Sequence, residues 1–205
     1  MSAERYCADP CSASSLPFWK TKAYVVPPSL RLIRDDAYTG LDETERDTPY
    51  FKMLHRLGGL SPLPLPRGFS LTEADAESLS AHISLCYEDE RISAAALEAG
   101  KARPVHCPAL WLAVREDRSG ALAASGIAEL DPGIREGVLE WIQVSPAFRR
   151  RGLGRYLVNE LLLRMKNRAD FVTVSGRWDN PTHPQALYQS CGFENPVTWH
   201  IIQKR

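Results

Sequence analysis

The sequence lacks the features that mark several specialised classes of protein. Its 205 residues include 25 basic and 25 acidic side chains and therefore carry no net charge, whereas proteins that coat nucleic acid or anionic lipid need a basic surface. No apolar run approaches the roughly 18 residues of a membrane span, and no apolar h-region follows Met1. The five cysteines form no Cys-x-x-Cys pair. We therefore expect a globular cytoplasmic protein with no metal, no nucleic-acid partner and no membrane partner.

Prolines are concentrated near the N-terminus. Eight of the 15 lie within residues 1–66, a density that excludes long helices there. The same segment contains an acidic stretch, residues 35–47, whose net charge of −5 is typical of a solvated loop. A strand is predicted at Tyr50–His55 and an extended connector at Ser61–Pro66. We predict that residues 1–66 form an N-terminal arm or small subdomain and that 67–205 form the main domain.

The main domain combines strand and helix patterns. Thr72 and Asp75 have the spacing of a helix N-cap and its N3 residue, which predicts a helix from about Glu73 to Cys86. Further helices are predicted at about 91–99, 153–167 and 184–191, and strands at 68–71, 109–115, 122–130, 137–144, 171–174 and 198–203. The three central strands follow each other through turns and should form an antiparallel meander. The fold class is therefore α/β (α+β), with a mixed, mostly antiparallel sheet flanked by helices.

A glycine- and arginine-rich loop lies between the strand that ends at Val144 and the next helix. Its glycines let backbone N–H groups converge, and the helix N-terminus adds partial positive charge. Residues 148–167 have a net charge of +5, so a small polyanion is the expected ligand. A P-loop is excluded because no lysine follows the glycines, and a dinucleotide fingerprint is excluded because Leu157 occupies the place of its third glycine.

Two stretches resemble one family. Arg149-x-x-Gly152-x-Gly154, after a strand, is similar to the CoA pyrophosphate loop of the GNAT superfamily of acyl-CoA-dependent N-acetyltransferases. The segment from Asn180 to Phe193, with Tyr188 on a predicted helix, is similar to the second cofactor motif of that family. The resemblance covers about 67–205 and implies a GNAT-like domain with acetyl-CoA as co-substrate. It assigns acetyl-CoA binding to Ile142, Val144, Arg149, Arg150, Arg151, Gly152, Leu153, Gly154, Arg155 and Asn180.

Two residues are catalytic candidates. The resemblance implies that the Tyr188 phenol protonates the departing thiolate, and the alternative is that Tyr188 only packs its helix against the sheet. Glu140 lies two residues before Ile142, so strand alternation places it on the same face as Ile142 and Val144. Its carboxylate could act as the base, anchor the substrate or be a surface charge.

Other polar and aromatic residues are weaker candidates. His183 is interpreted as a loop residue and Cys191 as a packing residue. The tryptophans are interpreted as core or cleft walls, one of which could hold an aromatic or cationic acceptor. The acceptor side is expected around Tyr87, Glu88 and Asp89 and in the turn after Asp131.

The predicted function is transfer of acetyl from acetyl-CoA to a primary amine by direct attack in a ternary complex. The acceptor is a small-molecule or peptide amine, and a homodimer is compatible with this function. The alternative is a CoA-binding GNAT-fold sensor or assembly module without turnover. A nucleic-acid binder that uses the arginine loop is disfavoured by the neutral net charge.

Overall fold

A computed structural model describes residues 1–87 and 90–204 of the chain. This part contains helices α1 (Ala3–Ala8), α2 (Pro10–Ala13), α3 (Phe18–Ala23), α4 (Ala76–Cys86), α5 (Ala94–Gly100), α6 (Leu153–Met165) and α7 (Pro184–Ser190). Its strands are β1 (Leu30–Arg34), β2 (Glu45–His55), β3 (Phe69–Glu73), β4 (Trp111–Glu116), β5 (Leu122–Asp131), β6 (Glu136–Val144), β7 (Phe171–Arg177) and β8 (Glu194–Lys204). They form two compact units: the first comprises Met1–Arg56 with Phe171–Arg205, and the second comprises Leu57–Asp170.

In the first unit, four antiparallel strands lie in the order β1-β8-β2-β7. The central strand, β2, has 11 residues and is therefore longer than the predicted 50–55 strand. Phe51 on β2 pairs with Gly176 on β7. A Cβ atom added at Gly176 would lie 2.6 Å from Cζ of Phe51, so only glycine fits beside this ring.

The N-terminal helices are anchored to the same strands by buried polar contacts. The Lys52 ammonium, 1% exposed, donates hydrogen bonds to the hydroxyl of Tyr6 at 2.9 Å and to the carbonyls of Ser14 at 2.9 Å and Leu16 at 3.0 Å. The Trp199 indole N–H donates to the carbonyl of Cys11 at 2.8 Å.

The division of the chain into these two units differs from the predicted segments 1–66 and 67–205. The reason is that β2 pairs with two strands from the C-terminal end, β7 and β8.

Most of the acidic stretch 35–47 is exposed, as its composition predicts, but two acidic side chains near its end are not. Glu45 is only 5% exposed and forms an ion pair with Arg31 at 2.5 Å. Asp47 and Asp35 contact opposite nitrogens of the His200 ring, at 2.6 and 3.0 Å. Part of the acidic charge is therefore neutralised by basic groups of β1 and β8, which a count of charges along the chain does not reveal.

In the second unit, strands lie in the order β6-β5-β4-β3, and each neighbouring pair is antiparallel. The predicted meander of β4, β5 and β6 is therefore confirmed. Helices α4 and α5 cover one face, where Leu79, Ile83 and Leu97 pack against Trp111 and Ile127. Helix α6 lies on the other face and buries a stripe of apolar side chains: Leu153, Leu157, Val158, Leu161, Leu162 and Met165.

Helix α4 begins later than predicted. Its N-cap is Asp75, whose carboxylate accepts a hydrogen bond from the N–H of Ser78 at 2.7 Å. Thr72 and Glu73 instead belong to β3 and pair with β4. The predicted N-cap at Thr72 is wrong because strand β3 continues through Thr72 and Glu73.

Taken together, the elements confirm the predicted fold class, a mixed α/β fold with a mostly antiparallel sheet flanked by helices. In the described residues, no helix combines the length and the apolar character needed to cross a membrane.

Candidate active site

The loop before α6 presents a run of backbone donors. Arg150 and Gly152 have positive φ angles of 64° and 81°, the left-handed conformation that occurs in anion-binding backbone nests. Within the described part of the chain, the N–H groups of residues 150–155 donate to no other backbone group, and the first helical bond runs from Tyr156 to Gly152 at 3.0 Å. These six groups can therefore bind an anion at the N-terminus of α6.

The arginine side chains of this loop lie at the surface. Arg149, Arg150, Arg151 and Arg155 are all exposed. Arg149 donates from Nε to the carbonyl of Val144 at 3.4 Å, and Arg151 lies 5.3 Å from the centre of the Phe148 ring. Cations at a helix N-terminus are electrostatically unfavourable unless an anion lies among them, so the cluster fits a bound polyanion. The Leu153 side chain is 1% exposed, so this residue offers a ligand only its backbone.

Ile142 and Val144 lie on the strand that leads to the loop. The Ile142 side chain packs toward α6, because a Cβ at Gly126 would contact Ile142, Leu157 and Leu161 at 3.1 to 3.2 Å. The Ile142 carbonyl accepts a hydrogen bond from the Tyr87 hydroxyl at 3.2 Å. Burial, the largest cause, raises the pKa of Tyr87 to about 12, so its phenol remains a donor at neutral pH.

Glu140 does not share a face with Ile142 and Val144 as strand alternation predicts. Ile127 on β5 pairs with Trp141, and the next residue, Ala128, pairs with Leu139, so Glu140 is the extra residue of a β-bulge. The bulge resets the alternation, and Glu140 lines the same pocket as Trp141. The carboxylate therefore lies on the side of the sheet that α4 and α5 cover.

A buried polar network behind the loop escaped the sequence prediction. His82 on α4 is 3% exposed, and its two ring nitrogens lie 2.7 Å from the hydroxyls of Ser125 and Ser145. The Ser145 hydroxyl donates to the carbonyl of Leu122 at 2.6 Å, so it must accept a hydrogen bond from Nε2–H of His82. Ser125 then donates to Nδ1 and accepts from the amide of Gln143. The network therefore holds a neutral imidazole of one tautomer against the start of the loop.

Tyr188 and Asn180 belong to the first unit. The Tyr188 ring is 6% exposed and lies 6.2 Å from the ring of Phe51 and 5.7 Å from that of Phe193. The Asn180 side-chain oxygen accepts hydrogen bonds from the N–H and hydroxyl of Thr182 at 2.9 and 2.8 Å, so it stabilises the turn before α7. Tyr188 therefore packs against aromatic rings of the first unit, and Asn180 stabilises the turn before α7.

The remaining candidates fall into clear structural settings. His183 is exposed and has a φ of 50° at the N-cap of α7, which fits the predicted loop role. Tyr87 lies edge-on to Trp141, with ring centres 5.6 Å apart. Glu88 and Asp89 lie outside the described residues. Among residues 1–87 and 90–204, no cluster of three or more His, Cys, Asp or Glu side chains could hold a metal ion.

Part of the chain matches a known family model, and the fold is similar to that of several solved structures. Residues 106–195 match the family model described as an acetyltransferase (GNAT) domain. A GCN5-related N-acetyltransferase from Sphaerobacter thermophilus is structurally similar, with a TM-score of 0.66 and 18% identity over 78% of this chain and 52% of that one. A putative GNAT acetyltransferase from Novosphingobium aromaticivorans has a TM-score of 0.56 and 17% identity, over 89% of this chain and 70% of that one.

A shorter neighbour is the ribosomal-protein-S18-alanine N-acetyltransferase from Escherichia coli, with a TM-score of 0.51 and 18% identity over 66% of this chain and 93% of that one. No curated protein sequence matches this chain. The chain spans about half the length of the Sphaerobacter protein. The resemblance to GNAT acetyltransferases is confirmed by the family model over residues 106–195, and the GNAT-like fold is confirmed by the structural neighbours.

Proposed function

We propose that this chain transfers an acetyl group from acetyl-CoA to a primary amine by direct attack in a ternary complex. The run of six backbone N–H groups at residues 150–155 carries the proposal. Backbone donors at a helix N-terminus bind phosphate groups, and four exposed arginines add positive charge around them. The loop therefore fits the pyrophosphate of CoA, and Ile142, Val144 and Asn180 are proposed as further contacts.

The nitrogen of the amine loses two protons and the thiolate gains one, and we propose two residues for these transfers. The amine must be neutral before its nitrogen forms the new C–N bond, and we assign the first proton to Glu140, directly or through a water molecule. The C–S bond then breaks, and we assign protonation of the thiolate to Tyr188, whose hydroxyl regains a proton when the attacking nitrogen loses its second one. Each turnover converts an ammonium and a thioester into an amide and a thiol and releases one proton.

The loop is tested by a matched pair of glycine substitutions. Gly152→Glu places a carboxylate among the proposed phosphate donors, and we expect it to raise the dissociation constant for acetyl-CoA at least tenfold. Gly120→Glu is the control, because Gly120 is also exposed, has a φ of 70° and has no neighbour within 4 Å of an added Cβ. Both variants share the backbone strain of a positive φ, so calorimetric titration isolates the effect on binding. Equal affinities for the two variants would contradict the proposed site.

Turnover separates the enzyme from a CoA-binding sensor or assembly module. Release of free thiol from acetyl-CoA should require an added primary amine, and the product should be the N-acetylated amine. Binding of acetyl-CoA without thiol release across a broad panel of primary amines would support the sensor instead.

A further inference from the structure

A pocket in the second unit combines aromatic and acidic side chains. Its walls include Trp111 of β4, Glu129 of β5, and Glu140 and Trp141 of β6, and α5 closes it with apolar residues such as Leu97. The β-bulge in β6 places Glu140 beside Trp141 at this pocket. Two indole rings and two carboxylates therefore line one small cavity.

The charge of the lining is predominantly negative. Arg103 is the guanidinium among the lining residues, and its Nη1 lies 3.4 Å from Oε1 of Glu129. Burial, and then the nearby Lys101, lower the pKa of His106, so this imidazole is neutral at neutral pH. Two carboxylates are thus opposed by one guanidinium, which favours a cationic ligand over an anionic one.

Trp111, in one wall of the pocket, contacts the side-chain ammonium of Lys101. Nζ of Lys101 lies 5.5 Å from the centre of the Trp111 ring and 2.7 Å from a carboxylate oxygen of Glu98. The combination of an indole face and a carboxylate is the usual environment for an organic ammonium. In addition, Nδ1 of His106, a lining residue of the pocket, is buried and has no hydrogen-bond partner among the described residues.

From this arrangement we propose that the pocket binds the acceptor amine as an alkyl- or arylammonium ion. Trp111 and Trp141 contact the hydrocarbon part, and the carboxylates of Glu140 and Glu129 surround the charged nitrogen. This inference rests on the proposed N-acetyl transfer and narrows its substrate class to amines that carry an apolar group. It also gives Glu140 a binding role before any proton transfer.

A ligand that cannot be acetylated tests the pocket without turnover. Choline and 3,3-dimethylbutanol have nearly the same shape, but only choline is charged. We expect choline to bind at least tenfold more tightly, measured by quenching of tryptophan fluorescence and by calorimetry. Glu140→Gln should weaken choline binding about tenfold and leave binding of 3,3-dimethylbutanol unchanged. Equal affinity of the two ligands would overturn the proposal.

The control variant is Glu160→Gln, which removes one negative charge from α6 on the opposite face of the sheet, where Glu160 pairs with Arg164 at 2.8 Å. We expect it to bind choline like the wild type. If both variants bind choline equally weakly, the loss comes from the overall charge of the protein, and the proposed pocket is contradicted. Folding of each variant is verified by its unfolding transition.

Turnover assays distinguish failure of this inference from failure of the proposed function. If choline binds as expected but no amine is acetylated, the ammonium site stands and the proposed function fails. If amines are acetylated but the Michaelis constant for hexylamine is unaffected by Glu140→Gln, the proposed function stands and the pocket assignment fails. Preference for a zwitterionic amino acid over its decarboxylated amine would also overturn it, because Arg103 would then dominate recognition.

Discussion

Nε2 of His82 lies 2.7 Å from the hydroxyl oxygen of Ser145, the residue that follows β6 and begins the proposed phosphate-binding loop. Ser145 is held from two further directions, because its N–H donates to the carbonyl of Ala123 at 2.9 Å and its hydroxyl donates to that of Leu122 at 2.6 Å. A neutral side chain of α4 thus fixes the start of the loop to β5. The start of the loop is held in place before any ligand arrives, which reduces the conformational entropy lost on binding.

This network predicts a pH dependence of stability. Burial, and then repulsion by Arg115, lower the pKa of His82 from 6.5 to about 4. The unfolded state therefore binds more protons than the folded state between pH 4 and 6.5, so the contribution is complete above pH 6.5 and is lost as the pH falls toward 4. We expect His82 to account for a loss of up to about 3 kcal/mol in the free energy of unfolding over this range.

The measurement is denaturant unfolding at several pH values for the wild type and two variants. His82→Gln keeps one donor and one acceptor but does not titrate, so its stability should fall less between pH 6.5 and 4. His183→Gln is the control, since His183 is an exposed loop residue. Parallel curves for the wild type and His82→Gln would contradict the assigned state of the network.

Local sequence signals were sufficient for elements bounded by strong turn or cap residues. Strands β5 and β6 and helix α6 lie within two residues of their predicted limits. The bulge at Glu140 was not predictable, because it depends on the register of β6 against β5. The partners of His82 lie 43 and 63 positions away along the chain. No local pattern links them, so this part of the candidate site required the three-dimensional fold.

A second prediction concerns the close approach of Gly176 to Phe51. An added Cβ would lie 2.6 Å from the ring, which also contacts Trp178 at 5.5 Å and Tyr188 at 6.2 Å between ring centres. Because the neighbouring rings restrict any shift of Phe51, we expect Gly176→Ala to lower the free energy of unfolding by about 1–3 kcal/mol. Denaturant unfolding measures this change.

The control for this substitution is Gly58→Ala, since nothing lies within 4 Å of a Cβ at Gly58. It should change stability by less than about 0.5 kcal/mol. The double variant Phe51→Leu with Gly176→Ala should lose less stability than the two single losses combined, because the smaller side chain leaves room for the methyl group. Simple additivity would mean that the ring does not cause the loss.

The last prediction separates the chemical role of Tyr188 from its packing role. Tyr188→Phe retains the aromatic ring and therefore its contacts with Phe51 and Phe193, but it removes the hydroxyl. If the phenol protonates the departing thiolate, kcat should fall about 100-fold while the Michaelis constant for acetyl-CoA changes little. A packing role alone predicts unchanged kcat in this variant, which would remove Tyr188 from the mechanism. A second acyl donor, whose thiol has a lower pKa than CoA, strengthens the distinction. Its thiolate needs less protonation on departure, so the loss of kcat in Tyr188→Phe should be smaller with this donor than with acetyl-CoA.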